Sequence, residues 1–91
     1  MALLVKANGT TEEITIPKEN SLKFMQEKVG GWIQIFSTCP ATQKTGYVGI
    51  VCDEEGKLKN YPLNPQATDM YGNPNDVIVG DAIFFKDGEV D

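Results

Sequence analysis

Apolar and polar positions change period several times along the chain, and each change predicts an element. Ala2 to Lys6 opens with an apolar run of strand length. Asn8-Gly9 behind it predicts a hairpin with a type I′ turn. The return strand is expected over Glu12 to Ile16, with Ile14 and Ile16 on one face and Glu13 and Thr15 on the other. Pro17 ends it, because proline has no N–H to donate to a ladder. Asn20 or Ser21 then suits an N-cap, and Leu22, Met25 and Val29 recur at i, i+3 and i+7. This spacing predicts a main helix over about 21–29, closed by Lys28 in its last turn and by Gly30 in the left-handed position beyond it.

Trp32 to Phe36 reads as the next strand, with Ile33 and Ile35 pointing one way and Trp32, Gln34 and Phe36 the other. Residues 37–46 lack periodicity and predict an exposed loop. Tyr47 to Cys52 returns to strand character. Asp53 to Lys57 predicts a turn in which Gly56 supplies the positive φ, with Leu58 to Tyr61 as the arm that follows. Asn64-Pro65 is a helix start, an asparagine cap with proline set at the first helical position. It predicts a short second helix over about 65–71, with Ala67 and Met70 or Tyr71 inward. Val77 to Val79 and Ala82 to Phe85 are two apolar runs divided by Gly80-Asp81, which predicts a bulge or bend in one strand, and Lys86 to Asp91 reads as a frayed tail. The order predicts a single α+β domain over 1–91, a mostly antiparallel sheet with one or two helices on one face.

Composition narrows the chemistry. Eight lysines face thirteen acids for a net charge of −5, with no histidine and no arginine. Without histidine, Ser-His, Cys-His and His-metal constellations are excluded. Nucleic-acid binding needs a basic stripe to displace counterions, and the chain has none. The acids are too scattered to imitate a nucleic acid. Cys39 and Cys52 are too few for a disulfide scaffold or a zinc site and read as small buried thiols. No apolar run approaches the ~18 residues of a membrane span, and the first residues lack the pattern of a signal peptide. The expectation is a cytoplasmic protein without cofactor or metal that is not an enzyme.

Two groups of residues could hold a ligand. Lys57, Lys59, Asn60, Tyr61 and Asn64 lead into the second helix, whose first N–H groups could meet an anion; the plainer reading is that Asn64 caps that helix. Trp32, Phe36 and Tyr47, with Gln34 among them, fall on one sheet face if their strands are neighbours, where the rings could stack a base, form a subunit interface or belong to the core.

Four segments carry a resemblance: Val29-Gly30-Gly31-Trp32-Ile33-Gln34, Asp53-Glu54-Glu55-Gly56-Lys57-Leu58, Tyr61 to Thr68, and Asp76 to Ala82. Together they are similar to a family of small proteins catalogued as a domain of unknown function and found in phages, prophages and mobile elements. Tyr61 stands where a leucine is more usual in that family. The resemblance implies a phage or mobile-element protein acting inside a bacterial host cell, with no catalytic residues to transfer. The resulting expectation is a homo-oligomeric binding protein that sequesters a nucleotide-type small molecule, such as a host immune signal. The alternative is a protein–protein inhibitor or adaptor acting on a host enzyme.

Overall fold

The computed structural model describes residues 1–37 and 46–89. Residues 38–45, which include Cys39 and most of the predicted loop, and residues 90–91 lie outside the described residues. The elements are β1 (Ala2–Val5), β2 (Thr11–Ile14), α1 (Ser21–Val29), β3 (Ile33–Ser37), β4 (Gly49–Asp53), α2 (Pro65–Tyr71) and β5 (Ala82–Phe85). The strands form one antiparallel sheet in the order β2-β1-β5-β4-β3. This is the α+β architecture expected, with both helices inside the predicted bounds. None of the described helices is long and apolar enough to cross a membrane.

The helices cover opposite faces of the sheet, not one face as predicted. Met25 and Val29 of α1 pack with Leu4, Val51, Ile83 and Phe85. Ala67 and Tyr71 of α2 pack on the other side with Val5, Ile50, Cys52 and Phe84. The central strands β4 and β5 are therefore apolar at successive positions, since a strand buried on both faces has no polar side. That continuous apolarity was compatible with one covering layer or two.

The connections depart from expectation for local reasons. The β1–β2 hairpin has positive φ at Gly9 but not at Asn8, so it is not a type I′ turn. Instead, Asn8 Oδ1 accepts from the Thr10 N–H at 3.0 Å and the Thr10 hydroxyl at 2.7 Å, an Asx turn that spares Asn8 the left-handed region. In α1 the inward residues are Met25 and Val29, helped by half-buried Phe24, while Leu22 stays exposed. Residues 54–60 form successive turns and not a strand arm, with Lys59 N–H bonded to Glu55 O at 2.9 Å. The positive φ there falls on Asn60 and not on Gly56. Val77 to Val79 give a single bridge, Leu63 to Val79, because Gly80 at φ 72 turns the chain before β5 begins. The predicted frayed tail starts as a turn, closed by Lys86 N–H on Glu89 Oε1 at 2.7 Å.

Asn64 fixes how these pieces meet. It is fully buried. Its Oδ1 accepts from Ala67 N–H at 3.0 Å, the cap predicted for α2, while its Nδ2 donates to Val5 O at 2.9 Å and Gly80 O at 2.8 Å. One amide thus ties β1, the Gly80 bend and α2 together. Asn64→Ala removes the cap and strands two buried carbonyls, and should cost about 2–4 kcal/mol in urea unfolding. Asn20 caps α1 in position but makes no side-chain cap bond and sits at φ 58. Asn20→Gly should therefore leave stability within about 0.5 kcal/mol of the parent.

Candidate functional site

Asp53 ends β4, and its side chain is only 1% exposed. Its Oδ2 meets Lys59 Nζ at 2.8 Å and its Oδ1 accepts from the Glu55 N–H at 2.9 Å, while the nearby Tyr61 hydroxyl favours the charged carboxylate. Burial presses the carboxyl toward its neutral form, but Lys59, the Glu55 N–H and Tyr61 together outweigh that and hold it below its ordinary value. The hydrogen bond to Asp53 in turn raises Lys59 above the usual lysine range. The turns over 54–60 bring Lys59 and Tyr61 back onto the strand end they leave, placing Lys59 Nζ 5.7 Å from the Tyr61 ring centre.

The chain has thinned its backbone around this node. A Cβ on Gly31 would lie 2.6 Å from Lys59 Nζ and 2.7 Å from Asp53 Oδ2, and one on Gly80 would lie 2.6 Å from Tyr61 Cδ2. Tyr61 is seated between the end of α1 and the Gly80 bend. Beside it opens a cleft of about 340 Å³ lined by Glu27, Lys28, Gly30, Tyr61, Pro62 and Asp81, among others. Gly80 N–H bonds to Pro62 O at 2.8 Å and Asp81 Oδ1 accepts from Ala7 N–H at 3.0 Å, which fixes the far wall. The volume is of the order that takes a small ligand. With Glu27, Asp81 and the negative end of α1 against Lys28, the cleft favours hydrogen-bond donors over phosphates.

A second, smaller cavity of about 80 Å³ lies between β3, β4 and the 76–79 segment, lined by Gln34, Phe36, Cys52, Lys57, Asp76 and Ile78 among others. Lys57 Nζ sits 2.6 Å from Asp76 Oδ1, and this bond together with the Val77 N–H holds Asp76 below the usual carboxylate range. Cys52 is pushed up to about 11, chiefly by burial and then by Asp53 and Asp76.

The predicted site residues separate into several places. Lys59 and Tyr61 meet at the Asp53 node, and Gln34 and Lys57 meet at the smaller cavity. Asn60 is an exposed turn residue, and Asn64 spends its amide on the fold. Trp32 is 65% exposed before β3. Tyr47 packs edge-on against Phe84, with ring centres 6.2 Å apart, and Lys86 Nζ lies 5.5 Å from its ring centre. Trp32 and Tyr47 lie beyond opposite ends of the β3–β4 ladder, roughly 20 Å apart along the strands, so one base cannot touch both. Of that predicted group, Phe36 is covered by α2, stacked on Tyr71 with ring centres 5.7 Å apart. Sequence reasoning missed Asp53, Glu27 and Asp81. In sequence Asp53 looks like a turn acid; its signal is an acid closing a fully apolar strand with a lysine six residues on.

Two measurements probe this geometry. Asp53 and Asp76 titrate lower folded than unfolded, so the stability they contribute is full above about pH 5 and falls as pH drops through their folded values. Asp53→Asn should cost about 2 kcal/mol at pH 7 and flatten the loss of stability between about pH 5 and 2, read by urea unfolding across pH. In a Cys39→Ser background, Cys52 should resist a thiol reagent at pH 8 and react only at the rate of unfolding. Rapid modification of the folded protein would contradict its burial.

No curated protein and no solved structure matches this chain. A family match covers residues 1–91 and carries the description Domain of unknown function (DUF3846). It spans every segment that builds the Asp53 node and the cleft, and the chain belongs to that family.

Proposed function

We propose that the protein is a non-enzymatic binding protein that captures a nucleotide-type small molecule in the cleft beside Tyr61. The observation that carries this reading is the cleft itself, an open space of about 340 Å³ seated against Tyr61 and walled by the end of α1. The ligand's orientation follows from the charges. A base enters first, its ring against Tyr61 and its amino or imino groups donating to Glu27, Asp81 or the carbonyls ending α1. Phosphates stay at the mouth, because Lys57 and Lys59 already face Asp76 and Asp53. Capture without turnover is supported by the lack of histidine in the chain, which leaves no Ser-His or Cys-His pair to act on a ligand. In a phage or mobile element, such capture would withdraw a nucleotide-derived defence signal from the host.

Isothermal titration and melting curves with guanosine, adenosine, cyclic nucleotides and ADP-ribose derivatives test the reading. At least one should bind at micromolar concentration and raise the melting temperature by mass action. Glu27→Lys, at an exposed position on the cleft wall, should weaken that ligand about tenfold while leaving the melting temperature of the free protein unchanged. Absence of binding by every member of the panel, or indifference of the bound ligand to Glu27→Lys, would overturn the assignment.

A further inference from the structure

The two edges of the sheet are built differently. The β2 edge carries Glu12 and Glu13, so a second copy pairing there antiparallel would set glutamates against each other. The β3 edge is the reverse. No charged residue occurs between Lys28 and Lys44 in a chain with a net charge of −5. Trp32 is 65% exposed and Ile35 48% exposed on that edge, and among the described residues β3 has a neighbour only in β4. Natural sheets blunt a free edge with charge, proline or a bulge; the described part of β3 has none of these.

The ladder also shows which backbone groups of β3 face away from β4. Glu54 N–H bonds to Trp32 O at 2.9 Å, continuing the β3–β4 register by one pair. Antiparallel pairs alternate between bonded and non-bonded, so Trp32, Gln34 and Phe36 turn their N–H and C=O groups toward β4. Ile33, Ile35 and Ser37 turn theirs outward.

We infer that β3 is a self-recognition edge, on which a second copy of this chain pairs antiparallel about a two-fold axis at Ile35. In that register Ile35 exchanges both backbone hydrogen bonds with its own counterpart, and Ile33 does so with the partner copy's Ser37. The two sheets become one continuous sheet. A second copy fits because two like-charged chains can meet here without opposing charges, which the β2 edge forbids. The interface is closed and isologous, so it ends at a dimer.

Light scattering and sedimentation of the native chain from about 1 to 200 μM test this. The expected result is a dimer mass at the upper concentrations. Ile35→Lys, which places a charge at the axis on a half-exposed position, should give a monomer across the range with an unchanged circular dichroism spectrum. Leu58→Lys, at an 81% exposed turn residue away from the edge, should remain dimeric. In a Cys39→Ser background, Ile35→Cys should form an interchain disulfide on mild oxidation, because bonded antiparallel partners stand about 5.5 Å apart at Cα. Leu58→Cys in that background should not. A monomer at 200 μM, a dimer that survives Ile35→Lys, or a dimer in which Ile35→Cys fails to cross-link would each overturn the assignment.

Discussion

The amide of Asn64 is the constraint on which the cleft depends. Its Nδ2 holds Val5 O and Gly80 O, and its Oδ1 starts α2. The cleft walls are the continuations of those strands of chain: Ala7 follows Val5, Pro62 precedes Asn64, and Gly80-Asp81 carries the bend. A buried amide satisfied on both ends stabilises only modestly in net terms, but it costs several times as much to disrupt. It therefore enforces one arrangement of three segments that are distant in sequence. Asp53 does the same on the near side, joining the end of β4 to Lys59 and the Glu55 N–H, with Lys59 Nζ lying 5.7 Å from the Tyr61 ring centre. No buried side-chain nitrogen or oxygen among the described residues lacks a partner, so both nodes are complete networks.

Where the chain is punctuated locally, the fold was legible. Both helices fall where the approximate bounds put them, because Gly30 and the Asn64-Pro65 pair are governed by backbone rules that operate within one turn. The overreading came at Leu58 to Tyr61 and Val77 to Val79, where apolar residues at strand spacing serve other ends. Tyr61 fills a slot beside Gly80, Leu58 lies on the surface, and Val79 makes one bridge only. Burial on both faces of the sheet also removes the alternation that would have assigned each helix to its side.

The candidate site was legible in its parts and not in its assembly. Lys59 and Tyr61 stood out by type, but their partner Asp53 lies at the end of a strand and looks in sequence like another solvated acid. The two lysines drew attention as anion ligands because nothing local shows that each faces a carboxylate across a turn or a cavity. Likewise, Trp32 and Tyr47 share strand alternation, yet the antiparallel register sends them to opposite ends of the ladder. Pairing distance, which no local pattern encodes, decided all three.

A chain of this size buries little surface and has a thin margin of stability, so polar groups committed to its interior need a reason. Asn64 and Asp53 offer little over apolar residues of similar shape as far as stability alone is concerned. What they supply is a fixed relation between the end of α1, the Tyr61 turn and the Gly80 bend, the three segments that line the cleft. The distribution of charge points the same way. Acids are spread over the chain, yet the stretch after Lys28 is kept neutral as far as Lys44, although charging an exposed edge would be the simpler safeguard against association. A fold that buries polar groups to shape one surface and withholds charge from another gives up stability at the first and edge protection at the second.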